Sequence, residues 1–316
     1  MRKRELGKDL LILLLFMVIS VAFFAQQTIG GKTLLPADNV FVQEPWASYA
    51  AEAGVMVPHN GLLSDLYLQN YVWKRFALNS LRGRSLPLWN PYILSGMPFL
   101  AAGQHSAMYP FSIVFYILPL AAAYGWFAAI HMFLAGTTMY IMARTFRLSR
   151  LGACIAGVAF MLAGSMVVSH VFPMIMAAAV WLPLLLAIIE KLANLADDGH
   201  EQLVGYLPYA IVGAIAVGLV FLAGHPEMYY YVALVCGLFA VYRLARTAFA
   251  TRRAGPVGKL VLILGGMVLI GAGLGFAQWG PLFELVRSNF REGSATFEEV
   301  LGWAWPKRRV ISMFVP

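Results

Sequence analysis

The sequence predicts an all-α polytopic membrane protein, and two observations predict it. Of the 316 residues, 60% are hydrophobic and only 12% are charged, whereas roughly a quarter of the residues in soluble domains are charged. The mean hydropathy is +0.73, and the apolar residues form separate stretches, several of them near the roughly 20 residues that a helix needs to cross a bilayer. The net charge of +8 suits the basic cytoplasmic loops of such proteins, so no nucleic-acid partner is expected.

The apolar stretches predict seven membrane-spanning helices. The first, residues 10–25, follows a basic N-terminus and is interpreted as a retained anchor, because no clear small-x-small cleavage motif follows it. The six later spans are predicted at residues 122–143, 151–169, 173–189, 206–223, 228–244 and 257–276. Residues 109–120 are apolar but short and bounded by prolines, so we expect an interfacial or re-entrant segment there.

The basic residues predict how these spans are oriented. Arg144, Arg147 and Arg150 follow the second span. Five more basic residues lie where the sixth span ends and the seventh begins: Arg243, Arg246, Arg252, Arg253 and Lys259. The short loops 169–173 and 223–228 contain no lysine or arginine. Because basic residues collect in cytoplasmic loops, the N-terminus is predicted to be cytoplasmic and these two loops extracytoplasmic.

Four regions follow from this topology. Residues 1–29 are predicted to form a membrane anchor helix, and residues 30–120 a long extracytoplasmic loop with interfacial helices. Residues 121–276 are predicted to form a six-helix membrane bundle. Residues 277–316 are predicted to be an extracytoplasmic segment, and we expect the protein to continue into further spans beyond it.

Polar residues of types common in binding and catalytic sites fall at the predicted outer ends of the spans. They are Asp65, Gln69, Gln104, His105, His170, His225, Glu227, Gln278 and Glu284. Asp65 could cap a helix or act as a general base beside an acceptor hydroxyl. His170 could be structural, and the ionisable pair His225 and Glu227 could either reach water or belong to a site.

Basic residues also occur in the predicted outer segments. Lys74, Arg75, Arg82 and Arg84 could form an ordinary solvated face or bind a lipid-linked phosphate, arginine through paired hydrogen bonds and lysine as a point charge. Arg287 and Arg291 form a second basic group predicted on the same side.

Several known chemistries have no signature in the chain. It contains no glycine-rich phosphate loop, HExxH, GxSxG or nucleotide fingerprint, so a soluble ATP or nucleotide-sugar site is unsupported. No cofactor is required by the sequence, although Asp38, Asp65 and Glu227 could share a divalent metal ion. The simplest role for Asp38 is an Asx turn just beyond the first span.

Short motifs are spread over most of the chain. They are Asn60…Ser64-Asp65…Gln69, Leu86-Pro87-Leu88-Trp89-Asn90-Pro91-Tyr92, Gly96-Met97-Pro98, Gln104, Tyr109-Pro110, Gly224-His225-Pro226-Glu227 and Gln278…Pro281…Glu284. In these motifs the chain resembles the YfhO-type family of bacterial membrane proteins, which belongs with the GT-C class of polyprenyl-phosphate-sugar-dependent glycosyltransferases. One departure is visible, since many relatives carry glutamine where this chain has Glu227.

The resemblance implies a fold and a function. The fold would be a GT-C-like module of about seven transmembrane helices, whose long first outer loop carries a catalytic acid at the position of Asp65. The function would be transfer of a sugar from an undecaprenyl-phosphate carrier to an envelope acceptor, such as a teichoic-acid-like polymer, at the outer face of the bacterial cytoplasmic membrane. Beyond the resemblance, we expect His225 and Glu227 to orient the acid or bind the donor, and Lys74, Arg75 or Arg287 to hold the departing lipid phosphate.

Two alternatives stay open at the level of sequence. A transporter or flippase of lipid-linked sugars would use the same anionic-lipid groove without bond chemistry, although alternating access favours a site near the membrane midplane. A non-catalytic membrane protein of envelope assembly would need neither Asp65 nor Glu227.

Overall fold

The chain folds mainly into helices, with almost no sheet. The computed structural model describes residues 2–288, 296–304 and 306–313. The α-helices of these residues are α1 (Arg2–Phe23), α2 (Ala25–Thr28), α3 (Val72–Arg82), α4 (Phe99–Ala102), α5 (Val114–Ile117), α6 (Leu120–Thr145), α7 (Arg150–Met161), α8 (Gly164–Ser169), α9 (Pro173–Ala179), α10 (Leu182–Asp197), α11 (Leu207–Leu222), α12 (Pro226–Thr251), α13 (Ala254–Arg287) and α14 (Phe297–Trp303). Two short strands, β1 (Trp89–Asn90) and β2 (Met97–Pro98), pair antiparallel. The predicted all-α class is confirmed.

Five helical stretches among the described residues are long and apolar enough to cross a membrane. They are Leu6–Phe23, Leu120–Thr145, Pro173–Asp197, Pro226–Thr251 and Ala254–Arg287. The coarse prediction of a membrane-embedded helical protein is therefore confirmed, and each of these stretches overlaps a predicted span.

The other two predicted spans correspond to shorter helices. In the predicted span 151–169, α7 ends at Met161 and α8 begins at Gly164, so two helices replace one. In the predicted span 206–223, α11 has 16 residues. Both are shorter than the roughly 20 residues of a straight crossing, and the count of seven spans stays a prediction.

Small residues let α11 and α13 pack closely. A side-chain carbon added at Gly271 would lie 2.5 Å from Cβ of Val217, and one added at Gly218 would lie 2.9 Å from Cβ of Leu274. Glycine on facing surfaces lets helix backbones approach where lipid provides no hydrophobic driving force. The helices α11 and α13 are therefore closely packed against each other in the bundle.

Polar contacts define two opposite ends of the helices. We call one the basic end: near the start of α1, Asp9 pairs with Arg150 at 2.8 Å and accepts a hydrogen bond from Tyr140 at 2.5 Å. We call the other the loop end: near the finish of α1, the ring of Phe24 contacts the ring of His170 with centroids 5.0 Å apart. Residues 98–106 pack against the bundle at this loop end.

A continuous helix organises the long loop. It begins with a π-helical segment (Leu66–Tyr71) and continues as α3. Its buried residues are Leu66, Asn70, Lys74, Ala77 and Leu78, which recur every three or four positions and so form one stripe. Two of these five residues are polar, which is unusual for a buried stripe and identifies the region where polar chemistry lies inside the protein.

Candidate functional site

Lys74 lies inside the protein. Its side chain is only 1% exposed, and its Nζ donates hydrogen bonds to the carbonyl oxygen of His105 at 2.6 Å and to Oγ of Ser112 at 3.4 Å. Nζ also lies 4.3 Å from the centroid of the Phe115 ring. No carboxylate among the described residues pairs with it, and burial lowers the pKa of Lys74 to about 7. Lys74 therefore belongs to the buried stripe and, contrary to the expectation for a lipid-phosphate ligand, does not lie at the surface.

His105 is a neutral structural residue. Its Nδ1 accepts a hydrogen bond from the backbone N–H of Ala107 at 2.9 Å, so Nε2 carries the proton and donates to the carbonyl of Phe99 at 2.8 Å. The imidazole stacks on the Phe99 ring at 4.1 Å. Burial, with Lys74 nearby, lowers the pKa of His105 to about 3. Both ring nitrogens are therefore used to hold the turn together.

Three contacts dock residues 98–106 against the helices. Ser106 Oγ donates to the carbonyl of Ala223 at 2.6 Å, and Gln278 Nε2 donates to the carbonyl of Leu100 at 2.8 Å. Gly103 and Gly224, with φ of +76° and +81°, meet backbone to backbone, and a side-chain carbon at Gly103 would lie 2.8 Å from the Gly224 carbonyl oxygen. The structure thus brings the segment containing Gln104, which is half-buried, together with the 223–225 turn and Gln278.

The ionisable pair of that turn faces outward. His225 is half-buried and caps α12, its Nδ1 accepting from the backbone N–H of Met228 at 3.4 Å. Burial lowers the pKa of His225, and the neighbouring carboxylate of Glu227 acts in the opposite direction. Glu227 is exposed and accepts a hydrogen bond from the hydroxyl of Tyr231 at 2.6 Å. The pair therefore borders the docked loop while its carboxylate stays open to solvent.

Asp65 is exposed at the start of the loop helix. Its side chain makes no capping hydrogen bond, and among the described residues its one hydrogen-bond partner is Gln69, whose Nε2 donates to Oδ1 at a long 3.4 Å. The helix-capping interpretation is therefore wrong. Gln69 and Arg75 are exposed on the same helix, so these three polar groups face solvent while Lys74 points inward.

The remaining predicted site residues make no contact with Asp65 among the described residues. His170 is 4% exposed and packs on Phe24, with no hydrogen-bond partner for either ring nitrogen among the described residues, and burial lowers its pKa to about 4. Glu284 and Arg287 are exposed near the end of α13, where the Arg287 guanidinium lies 4.6 Å from the Phe283 ring. Arg291 lies outside the described residues.

The carboxylates do not form a shared metal site. Asp38 Oδ2 accepts hydrogen bonds from the backbone N–H of His59 at 2.7 Å and from its Nδ1 at 2.9 Å, and these bonds lower the pKa of Asp38. Nowhere in residues 2–288, 296–304 and 306–313 do three His, Cys, Asp or Glu side chains come together as metal ligands. The suggestion that Asp38, Asp65 and Glu227 share an ion is therefore not supported, and Asp38 joins two distant loop segments instead of closing a local turn.

A groove beside the loop helix was not predicted. Its cavity measures about 570 Å³, and we call it the aromatic groove. Half of its lining is aliphatic, and the other half is Thr33, Gln43, Glu44, Trp46, Tyr67 and Tyr71. The Tyr67 hydroxyl is buried without a hydrogen-bond partner among the described residues. Tyr67 and Tyr71 lie in the π-helical segment that follows Asp65. The only sequence signal was the high aromatic content of the loop.

No family model, curated protein or solved structure matches the chain. The YfhO-type resemblance therefore remains a hypothesis from the motifs quoted above, and the functional argument depends on the residues of the site.

Proposed function

We propose that the protein transfers a sugar from a polyprenyl-phosphate carrier to a cell-envelope acceptor, with the chemistry at the loop end. The observation that carries the proposal is the setting of Asp65. This exposed carboxylate is not used to cap its helix, and the π-helical segment directly after it lines the aromatic groove. Isolated π-helical segments are rare and are frequent at functional sites.

The aromatic groove has the chemistry of a sugar-binding surface. A sugar ring has C–H faces that pack on aromatic rings and hydroxyl groups that hydrogen-bond to carboxylate and amide groups. Trp46, Tyr67 and Tyr71 supply the rings, and Gln43 and Glu44 supply the polar groups.

The reaction then follows from ordinary general-base chemistry. Asp65 accepts the proton of the acceptor hydroxyl while the oxygen of that hydroxyl bonds to the anomeric carbon of the donor sugar. The bond from the anomeric carbon to the phosphate oxygen breaks at the same time, and the lipid phosphate leaves. General-base catalysis contributes roughly 10²–10⁴-fold to such a step. Of the cations predicted to stabilise the departing lipid phosphate, Arg75 and Arg287 are exposed and available, whereas Lys74 is buried.

The orientation of the chain supports an extracytoplasmic reaction. The turns 169–173 and 223–228, which belong to the loop end, contain no lysine or arginine. Arg144, Arg150 and Arg243 lie at the basic end, as expected for cytoplasmic loops. Donor lipid and envelope polymer would therefore meet beside the aromatic groove.

The test uses the full protein reconstituted in vesicles with radiolabelled undecaprenyl-phosphate-sugar and an envelope acceptor. Asp65→Asn should reduce transfer by at least about 10²-fold, because the amide cannot accept the acceptor proton at neutral pH. The matched control is Glu52→Gln, which removes another exposed carboxylate of the same loop and should leave transfer unchanged.

Two outcomes would contradict the proposal. Undiminished transfer by Asp65→Asn would remove Asp65 from the reaction. Movement of uncleaved donor across the bilayer by both the wild type and the variant would identify a flippase instead.

A further inference from the structure

A second cavity lies at the basic end, far from the candidate site. It measures about 720 Å³ and lies between α1, α6, α10 and α11. We call it the basic cleft. Its charged lining residues are Asp9, Arg144, Arg147, Lys191 and Asp198. This cavity has no part in the sugar chemistry proposed above.

The lining of the basic cleft changes from polar to apolar along the helices. On α10 the lining passes from Lys191 through Ile188 to Leu184, and on α6 from Arg144 to Ile141, with the hydroxyl-bearing Thr137 one turn deeper. Lys191 and Leu184 are seven positions apart, or about 10 Å along the helix. The same order occurs on α1, where the polar Asp9 is followed one turn deeper by Leu13. The cleft therefore has a charged mouth and a hydrocarbon-like interior.

The charge at the mouth is positive. The carboxylate of Asp9 is already neutralised by Arg150, whose Nε lies 2.8 Å away. Arg144, Arg147 and Lys191 then face a single remaining carboxylate, Asp198. Lys191 is half-buried, with its Nζ 5.5 Å from the centroid of the Tyr209 ring. Arg144 is half-buried as well, whereas Arg147 is exposed at the rim.

A polar group in the interior lacks a partner. Thr138 and Thr145 on α6 donate their hydroxyls to backbone carbonyls at 2.8 Å. The hydroxyl of Thr137, which lines the cleft, is buried and has no hydrogen-bond partner among the described residues.

We propose that the basic cleft binds an anionic phospholipid, with its phosphate at Arg144, Arg147 and Lys191 and one acyl chain along the apolar walls of α6 and α10. Basic pockets between membrane helices on the cytoplasmic side are sites for such headgroups. A free phosphate would satisfy the cations and leave the apolar interior unfilled. Occupation of the apolar interior by a hydrocarbon chain therefore distinguishes a bound phospholipid from bound free phosphate.

The experiment measures lipid binding to the full chain in detergent by native mass spectrometry. The probes are phosphatidylglycerol and phosphatidylcholine with identical acyl chains, each with and without an excess of inorganic phosphate. Wild type should bind phosphatidylglycerol selectively. Arg147→Gln with Lys191→Gln should weaken this binding roughly thirtyfold, at about a fivefold loss for each cation.

A matched double variant controls for net charge. Arg246→Gln with Arg253→Gln removes the same charge from exposed positions at the same end, outside the cleft lining, and should leave binding unchanged. Val212→Trp tests the hydrocarbon part, because Val212 lines the cleft and is 46% exposed, so the indole can fill the interior without entering the protein core. It should weaken phosphatidylglycerol binding with every cation in place.

Three results would each overturn the proposal. Equal losses in the two double variants would mean that bulk charge alone attracts the lipid. Full binding by Val212→Trp would mean that no acyl chain occupies the cleft. Displacement of phosphatidylglycerol by inorganic phosphate would identify a site for the free anion.

Discussion

At the scale of single residues, the buried amine of Lys74 makes stability depend on pH. Its pKa is lowered to about 7 in the folded chain by burial, against 10.5 ordinarily. Between these values the unfolded chain binds the proton and the folded chain does not, so folding should become more favourable as pH rises, by about 1.4 kcal/mol per pH unit. Below pH 7 both states are protonated and this dependence ends.

Thermal unfolding in detergent at pH 7 and pH 9 checks this prediction. The wild type should gain stability over this range, and Lys74→Met, which keeps a long apolar stem in the buried stripe, should lose that gain. Lys32→Met serves as the control, because Lys32 is exposed. An identical pH response in Lys74→Met and wild type would show that Lys74 is not the group responsible.

Adjacent residues of the same chemical type explain why the site was only partly predictable. Lys74 and Arg75 look alike in sequence, but the structure buries one and exposes the other. Leu66, Asn70, Lys74 and Leu78 are four residues apart, so they lie on one face of a helix. The burial of Lys74 could therefore have been predicted from the sequence. The pairing of Asp38 with His59, 21 residues away, had no local signal.

At the scale of elements, the contact between Gly103 and Gly224 joins the long loop to the bundle. A side-chain carbon at Gly224 would clash with the carbonyl of Gly103, and both residues have positive φ. Gly224→Ala should therefore undock residues 98–106 and speed their amide hydrogen exchange by at least about tenfold, since left-handed backbone alone costs an alanine roughly 1–2 kcal/mol.

The matched control for Gly224→Ala is Gly199→Ala. Gly199 has φ of +69° but nothing within 4 Å of its added carbon, so it carries the backbone strain without the clash. Exchange in residues 98–106 should stay at the wild-type rate in this control. Unchanged exchange in Gly224→Ala would contradict the docking role of the contact.

A buried arginine joins α10 to α12 near the basic end. Arg243 is fully buried, its Nη2 donates to Asp197 and Asn194 at 3.0 Å, and its Nε lies 3.1 Å from a carboxylate oxygen of Glu190. Arg243→Met would leave two carboxylates without their cation and should destabilise the protein by roughly 3 kcal/mol.

Unfolding midpoints of a small set of variants test this clamp. Arg246→Met, one turn further along α12 and exposed, should have little effect. Adding Glu190→Gln to Arg243→Met should recover part of the loss by removing one unpaired charge. Two results together would exclude the clamp: equal unfolding midpoints for Arg243→Met and Arg246→Met, and no recovery of stability when Glu190→Gln is added to Arg243→Met.

The elements were predicted to different degrees for physical reasons. Long apolar stretches are visible in composition, so all five long helical stretches were anticipated. The break between α7 and α8, at residues 162–163, depends on how the chain packs and leaves no proline or charge to reveal it. The aromatic groove combines residues 33–46 with the loop helix, and such a long-range pairing is not encoded in local periodicity.

At the scale of the whole molecule, the two ends should be accessible from opposite sides of the membrane. With Cys154 and Cys236 replaced by alanine, Glu52→Cys would report the loop end and Arg246→Cys the basic end. A membrane-impermeant maleimide should label the first in intact cells and the second only after permeabilisation, as the distribution of basic residues requires. Reversed labelling would overturn the proposed location of the reaction.

The docking of the long loop also constrains how the protein is made. Lys74 contacts His105 and Ser112, and Leu100 contacts Gln278, which lies 178 residues later in the chain. During synthesis from the N-terminus, residues 30–106 leave the ribosome before the 223–225 turn and α13 exist. The loop therefore stays undocked while the later helices are inserted. Its docking is complete only once α13 has been synthesised.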